Sequence, residues 1–124
     1  MDYDSGECDR QRRFIAQVIA STAQSKEQYL SYLNSETDKL SNVPDASIQG
    51  AICSAWAELS RDERFVLDQR YRIRGSYGAY AKTYIEIGKA FPARINPAKV
   101  KKIKKQAIAK LHPILIEIAR SFQE

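Results

Sequence analysis

Apolar residues recur at spacings of three and four along most of the chain, and no run alternates with the period of a strand, so the pattern predicts an all-α protein. From Gln11 onward Phe14, Ile15, Val18, Ile19, Tyr29, Leu30 and Leu33 fall on one helical face, which predicts one long helix or two in phase. Ser25-Lys26-Glu27-Gln28 fits a capping box and would permit a break there. Ser41-Asn42-Val43-Pro44-Asp45 is a turn-rich linker, after which Ile48, Ile52, Cys53, Trp56 and Leu59 define another amphipathic helix with Trp56 in the core. Ser60-Arg61-Asp62-Glu63 is a capping box that opens a helix carrying Val66, Leu67, Arg70 and Tyr71, and Gly75-Ser76-Tyr77-Gly78 is expected to end it. Thr83-Tyr84-Ile85-Glu86 is a second such box, starting a short helix that Pro92 stops.

Asn96-Pro97 then supplies an N-cap and a first-turn proline. In the helix they start, Val100, Ile103, Ala107 and Leu111 share the inward face and leave Lys101, Lys102 and Lys105 outward. Pro113 should kink or restart the chain, and Ile114, Leu115, Ile118, Ala119 and Phe122 form a last apolar stripe, able to dock on the body or meet a partner.

Charge sharpens this picture. The 124 residues carry a net charge of +5, and no acid lies between Glu86 and Glu117, a stretch that holds Lys89, Arg94, Lys99, Lys101, Lys102, Lys104, Lys105 and Lys110. The first half is close to neutral or slightly acidic, so the asymmetry points to a nucleic-acid face and a separate body. Cys8 and Cys53 have no companion thiols or histidine cluster at metal-ligand spacing, which suits a reduced, cytoplasmic protein. The acidic start Met1-Asp2-Tyr3-Asp4 has no apolar run of the signal-peptide kind, and no later run is long enough for a membrane span. His112 is the only histidine; beside Pro113 it is expected near a helix end, where it could meet the last carbonyls. Gly75-x-x-Gly78 lacks the lysine and the flanking strand of a phosphate loop, and no nucleophile or metal motif is present, so no enzyme, metal or cofactor is expected.

A lysine run on a helix is often only a solvated face. Here a capped helix precedes it across a tight connection, and Ile87, Phe91, Val100 and Ile103 can pack the two together, which is the plan of a helix-turn-helix. Tyr77, Tyr80 and Tyr84 could stack on bases, but turn tyrosines more often cover a small core, and they are left out of the expected site.

Residues 59–71, Leu-Ser-Arg-Asp-Glu-Arg-Phe-Val-Leu-Asp-Gln-Arg-Tyr, resemble the opening helix of the fourth region of bacterial primary sigma factors. Thr83, Glu86, Ile87, Gly88, Lys89 and Phe91 fall on that family's T-x-x-E-[IV]-G-K-x-F pattern, and Val100, Ile103, Ala107, Ile108, Lys110 and Leu111 fit its recognition helix. His112-Pro113 and Glu117 to Phe122 are similar to the family's closing sequence. The resemblance covers roughly the second half of the chain, and the first half has no counterpart of the sigma region that binds the melting promoter segment. Ala93 to Asn96 lengthen the turn by about two residues, and Pro97, Ala98, Lys101 and Lys102 stand where sigma factors place base-reading arginine, glutamate and glutamine, so the usual promoter element is not the expected target. In size and plan the chain is similar to small phage and prophage late-gene regulators of the RinA and ArpU kind.

The resemblance implies a helical N-terminal arm and linker over 1–46, a sigma-region-4-like helix-turn-helix DNA-binding domain over 47–112 and a C-terminal amphipathic helix over 113–124. The expected function is transcriptional regulation on double-stranded DNA, with the helix from about Pro97 to Leu111 in the major groove. Lys99, Lys101, Lys102 and Lys105 would face DNA, with Asn96 at the groove entrance. Thr83 at its helix start, with Lys89 and Arg94, would hold phosphates. Sigma factors also use this domain to hold a helix of RNA polymerase, which implies a partner-binding surface around Phe65, Val66 and Tyr71. The alternative reading is therefore a protein-interaction module that binds polymerase or another host factor without specific DNA binding. A homodimer would suit a two-half-site operator.

Overall fold

A computed structural model describes residues 6–74 and 81–122. Six helices follow one another: α1 (Gly6–Ala20), α2 (Lys26–Leu40), α3 (Asp45–Trp56), α4 (Arg61–Tyr71), α5 (Tyr84–Ala90) and α6 (Pro97–Ser121). The described residues contain no strand, and the fold is all-α. The expected breaker at Gly75 to Gly78, with Tyr77 and Tyr80, lies outside the described residues.

The first apolar face belongs to two helices. Ser25 caps α2 by accepting from the Gln28 backbone N–H, while the Gln28 side chain accepts from the Gln24 backbone N–H, so the chain breaks at 21–25. The segment does not stand apart as an arm. Phe14, Ile15 and Val18 of α1 are buried with Ile48, Ile52 and Trp56 of α3, Leu67 of α4, and Leu111 and Leu115 of α6. Phe14 sits edge-on to Trp56, with ring centroids 5.6 Å apart, and lies 5.0 Å from Tyr71. Arg12 ties α1 to the α2–α3 linker, its guanidinium donating to the Leu40 and Val43 carbonyls and to the Asp45 carboxylate. Because one core spans α1, α3, α4 and α6, the expected borders at 46/47 and 112/113 fall within a shared packing unit.

Pro113 does not restart the chain. It lies inside α6, where its exposed ring faces solvent while Ala107, Leu111, Leu115 and Ala119, four residues apart, keep one buried stripe running past it. Burying leucine-sized side chains is worth about 1.5–3 kcal/mol each, enough to offset a proline cost of about 3 kcal/mol. The C-terminal stripe docks on the body, with Ile114, Ile118 and Phe122 packed against the main core. His112 consequently sits within the helix rather than at its end, its Nε2 3.4 Å from the Thr22 hydroxyl.

A second, smaller core holds the N-terminal turns of α6 in place. Val66 of α4, Ile87 of α5 and Val100 of α6 are fully buried, flanked by Phe65, Tyr84, Phe91, Ile95 and Ile103. The helix α6 thus belongs to two cores, with its N-terminal turns on α4 and α5 and the rest on α1 and α3.

Candidate nucleic-acid interface

The start of α5 is fixed locally. The Thr83 hydroxyl accepts from the Glu86 N–H at 3.1 Å, and the Glu86 carboxylate accepts from the Thr83 N–H at 3.1 Å. The box engages the N–H groups of Thr83 and Glu86, while those of Tyr84 and Ile85, expected to hold a phosphate together with Thr83, lie outside it. The Glu86 carboxylate faces that end of the helix and would oppose an anion there, while the Thr83 hydroxyl keeps its hydrogen for donation outward.

Residues 91–96 connect α5 to α6. The Ile95 N–H donates to the Gly88 carbonyl at 3.1 Å, and the Arg94 N–H to the Phe91 carbonyl at 3.0 Å. The turn passes so close to α5 that a Cβ on Gly88 would collide with the Ile95 carbonyl oxygen, which explains the glycine. Arg94 itself adopts the left-handed region with φ 43°, and its side chain is exposed. Asn96 then caps α6, its Oδ1 accepting from the Lys99 N–H at 2.8 Å, with Pro97 in the first turn. The side-chain oxygen of Asn96 is committed to the cap, which leaves its amide hydrogens for any contact outside the protein.

On α6 the lysines divide into two groups. Lys99, Lys101, Lys102 and Lys105 are exposed, as are Lys89 and Arg94 nearby. Among the described residues none of the six forms an ion pair; Lys101 has only the Tyr84 ring beneath it, 5.4 Å from Nζ to centroid. The other two lysines serve the structure. Lys104 is half-buried and donates to the Tyr84 hydroxyl at 2.8 Å, and Lys110 donates to the Glu63 carboxylate at 2.8 Å. Burial works to raise the Tyr84 pKa, but Lys104 and Arg70 outweigh it and hold the phenol below its usual value.

The outward strip also includes Gln106, exposed and four residues beyond Lys102, between the small exposed residues Ala98 and Ala109. Sequence reasoning missed it by reading only charge. A glutamine at i+4 from an outward lysine was the available signal, and its carboxamide can donate and accept toward a base edge at once.

The expected partner surface is not assembled as anticipated. Val66 is fully buried between α5 and α6 and cannot line a groove, and Tyr71 packs on Phe14, with burial raising its pKa. Phe65 alone of the three reaches a cleft of about 290 Å³, lined also by Phe91, Pro92, Arg61 and Asp62. Its ring meets Phe91 edge-on at 5.2 Å.

Among the described residues no group of three or more His, Cys, Asp or Glu could hold a metal ion, and no helix is long and apolar enough to cross a membrane. Comparison of the chain with protein-family models, curated proteins and solved structures returns no match.

Proposed function

We propose that this chain is a DNA-binding transcriptional regulator, a sigma-like helix-turn-helix protein of the phage or prophage late-gene type, acting in the cytoplasm. It reads double-stranded DNA by placing the N-terminal half of α6 in the major groove. One observation carries the reading: Lys99, Lys101, Lys102 and Lys105 project from a helix whose opposite face is locked into two cores, and that face is free of acids. A free lysine tail would condense on any polyanion, whereas a rigid rod delivers its charges in fixed register. Lys89 and Arg94 flank the rod as phosphate contacts, and Gln106 adds a group able to distinguish bases.

The test is the salt dependence of duplex binding. Lys101→Ala with Lys102→Ala is expected to weaken affinity and to flatten the plot of log affinity against log salt by about 0.9 for each phosphate no longer neutralised. Unchanged affinity and slope would reject the groove assignment. A binding selection from random oligonucleotides is expected to return a defined motif, and a two-fold symmetric motif would indicate a homodimer.

A second reading, capture of RNA polymerase or another protein, is favoured by the cleft beside Phe65 and Phe91. Retention on polymerase that Phe65→Ala abolishes, together with no retention on DNA, would select it.

A further inference from the structure

Four arginines from distant parts of the sequence converge on a cleft of about 250 Å³ between α1 and the C-terminal end of α4: Arg10, Arg13, Arg70 and Arg72. No carboxylate lines it among the described residues; Gln17 and Tyr71 supply its polar neutral groups. Arg10 Nε donates to the Arg72 carbonyl at 3.0 Å, which seats one guanidinium against the next chain segment. Arg70 Nη1 donates to the Lys82 carbonyl at 3.1 Å. Arg72 is held in the left-handed region with φ 55°, and its Nε is buried without a hydrogen-bond partner among the described residues. Arg13 is exposed and forms no side-chain hydrogen bond or ion pair among the described residues. Four cationic side chains lining one cleft raise its positive potential, and guanidinium groups match phosphate oxygens in geometry as well as sign.

The cleft is joined to α6 by a single ring. The Arg70 guanidinium lies 4.7 Å from the Tyr84 ring centroid, and the Lys101 ammonium lies 5.4 Å from the same centroid. A cationic track therefore runs from the outward lysines of α6, across Tyr84, to the arginines of α1 and α4.

We propose that this cleft is a second phosphate-binding site, which takes the sugar-phosphate backbone of the duplex flanking the segment gripped by α6. The proposal rests on the DNA-binding reading above and extends it to α1, so that the first half of the chain belongs to the interface. Continuity with Lys101 selects a polymer backbone over a small free anion, because only a strand can occupy the groove face and the cleft together.

Arg13 is the residue to alter, since its side chain holds no other part of the fold. With a long duplex containing the selected motif, Arg13→Ala is expected to reduce the salt slope by about 0.9, and Arg13→Lys to retain it. With a duplex trimmed to the segment under α6, Arg13→Ala should match the unaltered protein. Lys26→Ala, on the exposed start of α2, serves as a charge-matched control and should change neither slope. Titration with inorganic phosphate separates the sources: saturable uptake that Arg13→Ala abolishes, with an unchanged slope on the long duplex, would overturn the backbone assignment in favour of a small anion. If Arg13→Ala leaves the long-duplex slope intact while the Lys101/Lys102 variant lowers it, the second site is refuted and the groove assignment stands. If neither variant changes the slope, the groove assignment itself fails.

Discussion

The close approach of Gly88 to the Ile95 carbonyl can be probed with one methyl group, and the protein contains its own control. In a helix interior Gly→Ala ordinarily stabilises by about 1 kcal/mol through helix propensity. At Gly50, on the exposed side of α3, a Cβ would meet nothing within 4 Å, so Gly50→Ala should show that gain. At Gly88 the same methyl would run into backbone, which cannot rotate away as a side-chain tip can. Relieving the collision requires the 91–96 turn to retreat, and that stretches the Ile95 N–H bond to Gly88, worth about 1 kcal/mol, in addition to an overpacking cost of about 1–3 kcal/mol. After the propensity gain is subtracted, Gly88→Ala should destabilise by about 1–3 kcal/mol and lie about 2–4 kcal/mol below Gly50→Ala. Trp56, the only tryptophan and fully buried, provides the fluorescence signal for urea unfolding of all three proteins. Gly88→Ala should also bind DNA more weakly in conditions where it remains folded, because α6 must shift relative to α5. If Gly88→Ala stabilised the protein as much as Gly50→Ala, the close approach of turn and helix would be refuted, and with it the register of the lysine face.

Two buried carboxyls give opposite pH signatures. Burial pushes the Asp68 carboxyl from 3.8 up to about 6, against the pull of Arg74 and of the Trp56 Nε1–H that it accepts at 3.1 Å. The folded state thus keeps a proton that the unfolded chain releases, so this group's stabilisation is complete below about 3.8 and is lost as pH rises through about 6, by roughly 3 kcal/mol. Asp68→Asn can still accept from Trp56 and should remove that decline, leaving urea midpoints flat between pH 4 and 7 relative to the unaltered protein. At Glu63 burial also acts upward, but the Lys110 ammonium and the Ser60 N–H and hydroxyl outweigh it and hold the pKa below its usual value. Its contribution is present above the unfolded-state value and lost as pH falls through the lower folded value; Glu63→Gln should cost about 1 kcal/mol at neutral pH and reduce the loss in acid, read by the same unfolding signal.

What the sequence disclosed was mostly what is local. The boxes at Ser60 and Thr83 and the Asn96-Pro97 start need only residues three apart, and each forms as its spacing implied. The packing of α1 was illegible because Phe14 meets Trp56 and Tyr71 across long stretches of chain, which periodicity cannot pair. Val66 was misplaced for the same reason: its neighbours Ile87 and Val100 lie on other helices, so an apolar residue read as surface is core. The continuation of α6 past Pro113 was legible in principle from the four-residue spacing of Ala107, Leu111, Leu115 and Ala119, but the proline outweighed it in a purely local reading. Among the candidate site residues, the outward lysines follow from the helical wheel, whereas the arginine cleft depends on α1 meeting α4 and has no signature in either segment alone.

The way charge is used separates the proposed binding face from the scaffold. Several carboxylates have internal duties: Asp45 receives Arg12, Glu63 caps α4 and receives Lys110, Asp68 receives Trp56, and Glu86 caps α5. Each of these interactions holds elements together, so removing either partner should register as reduced stability. Lys99, Lys102 and Lys105 have no such duty among the described residues, and removing them relieves mutual repulsion along α6 without breaking any bond within the fold. Stability and DNA affinity are therefore expected to respond to different residues. On the DNA-binding reading, the cations that make no bond within the fold find their partners in the phosphates of the duplex, which a helix anchored at both ends would meet in fixed register.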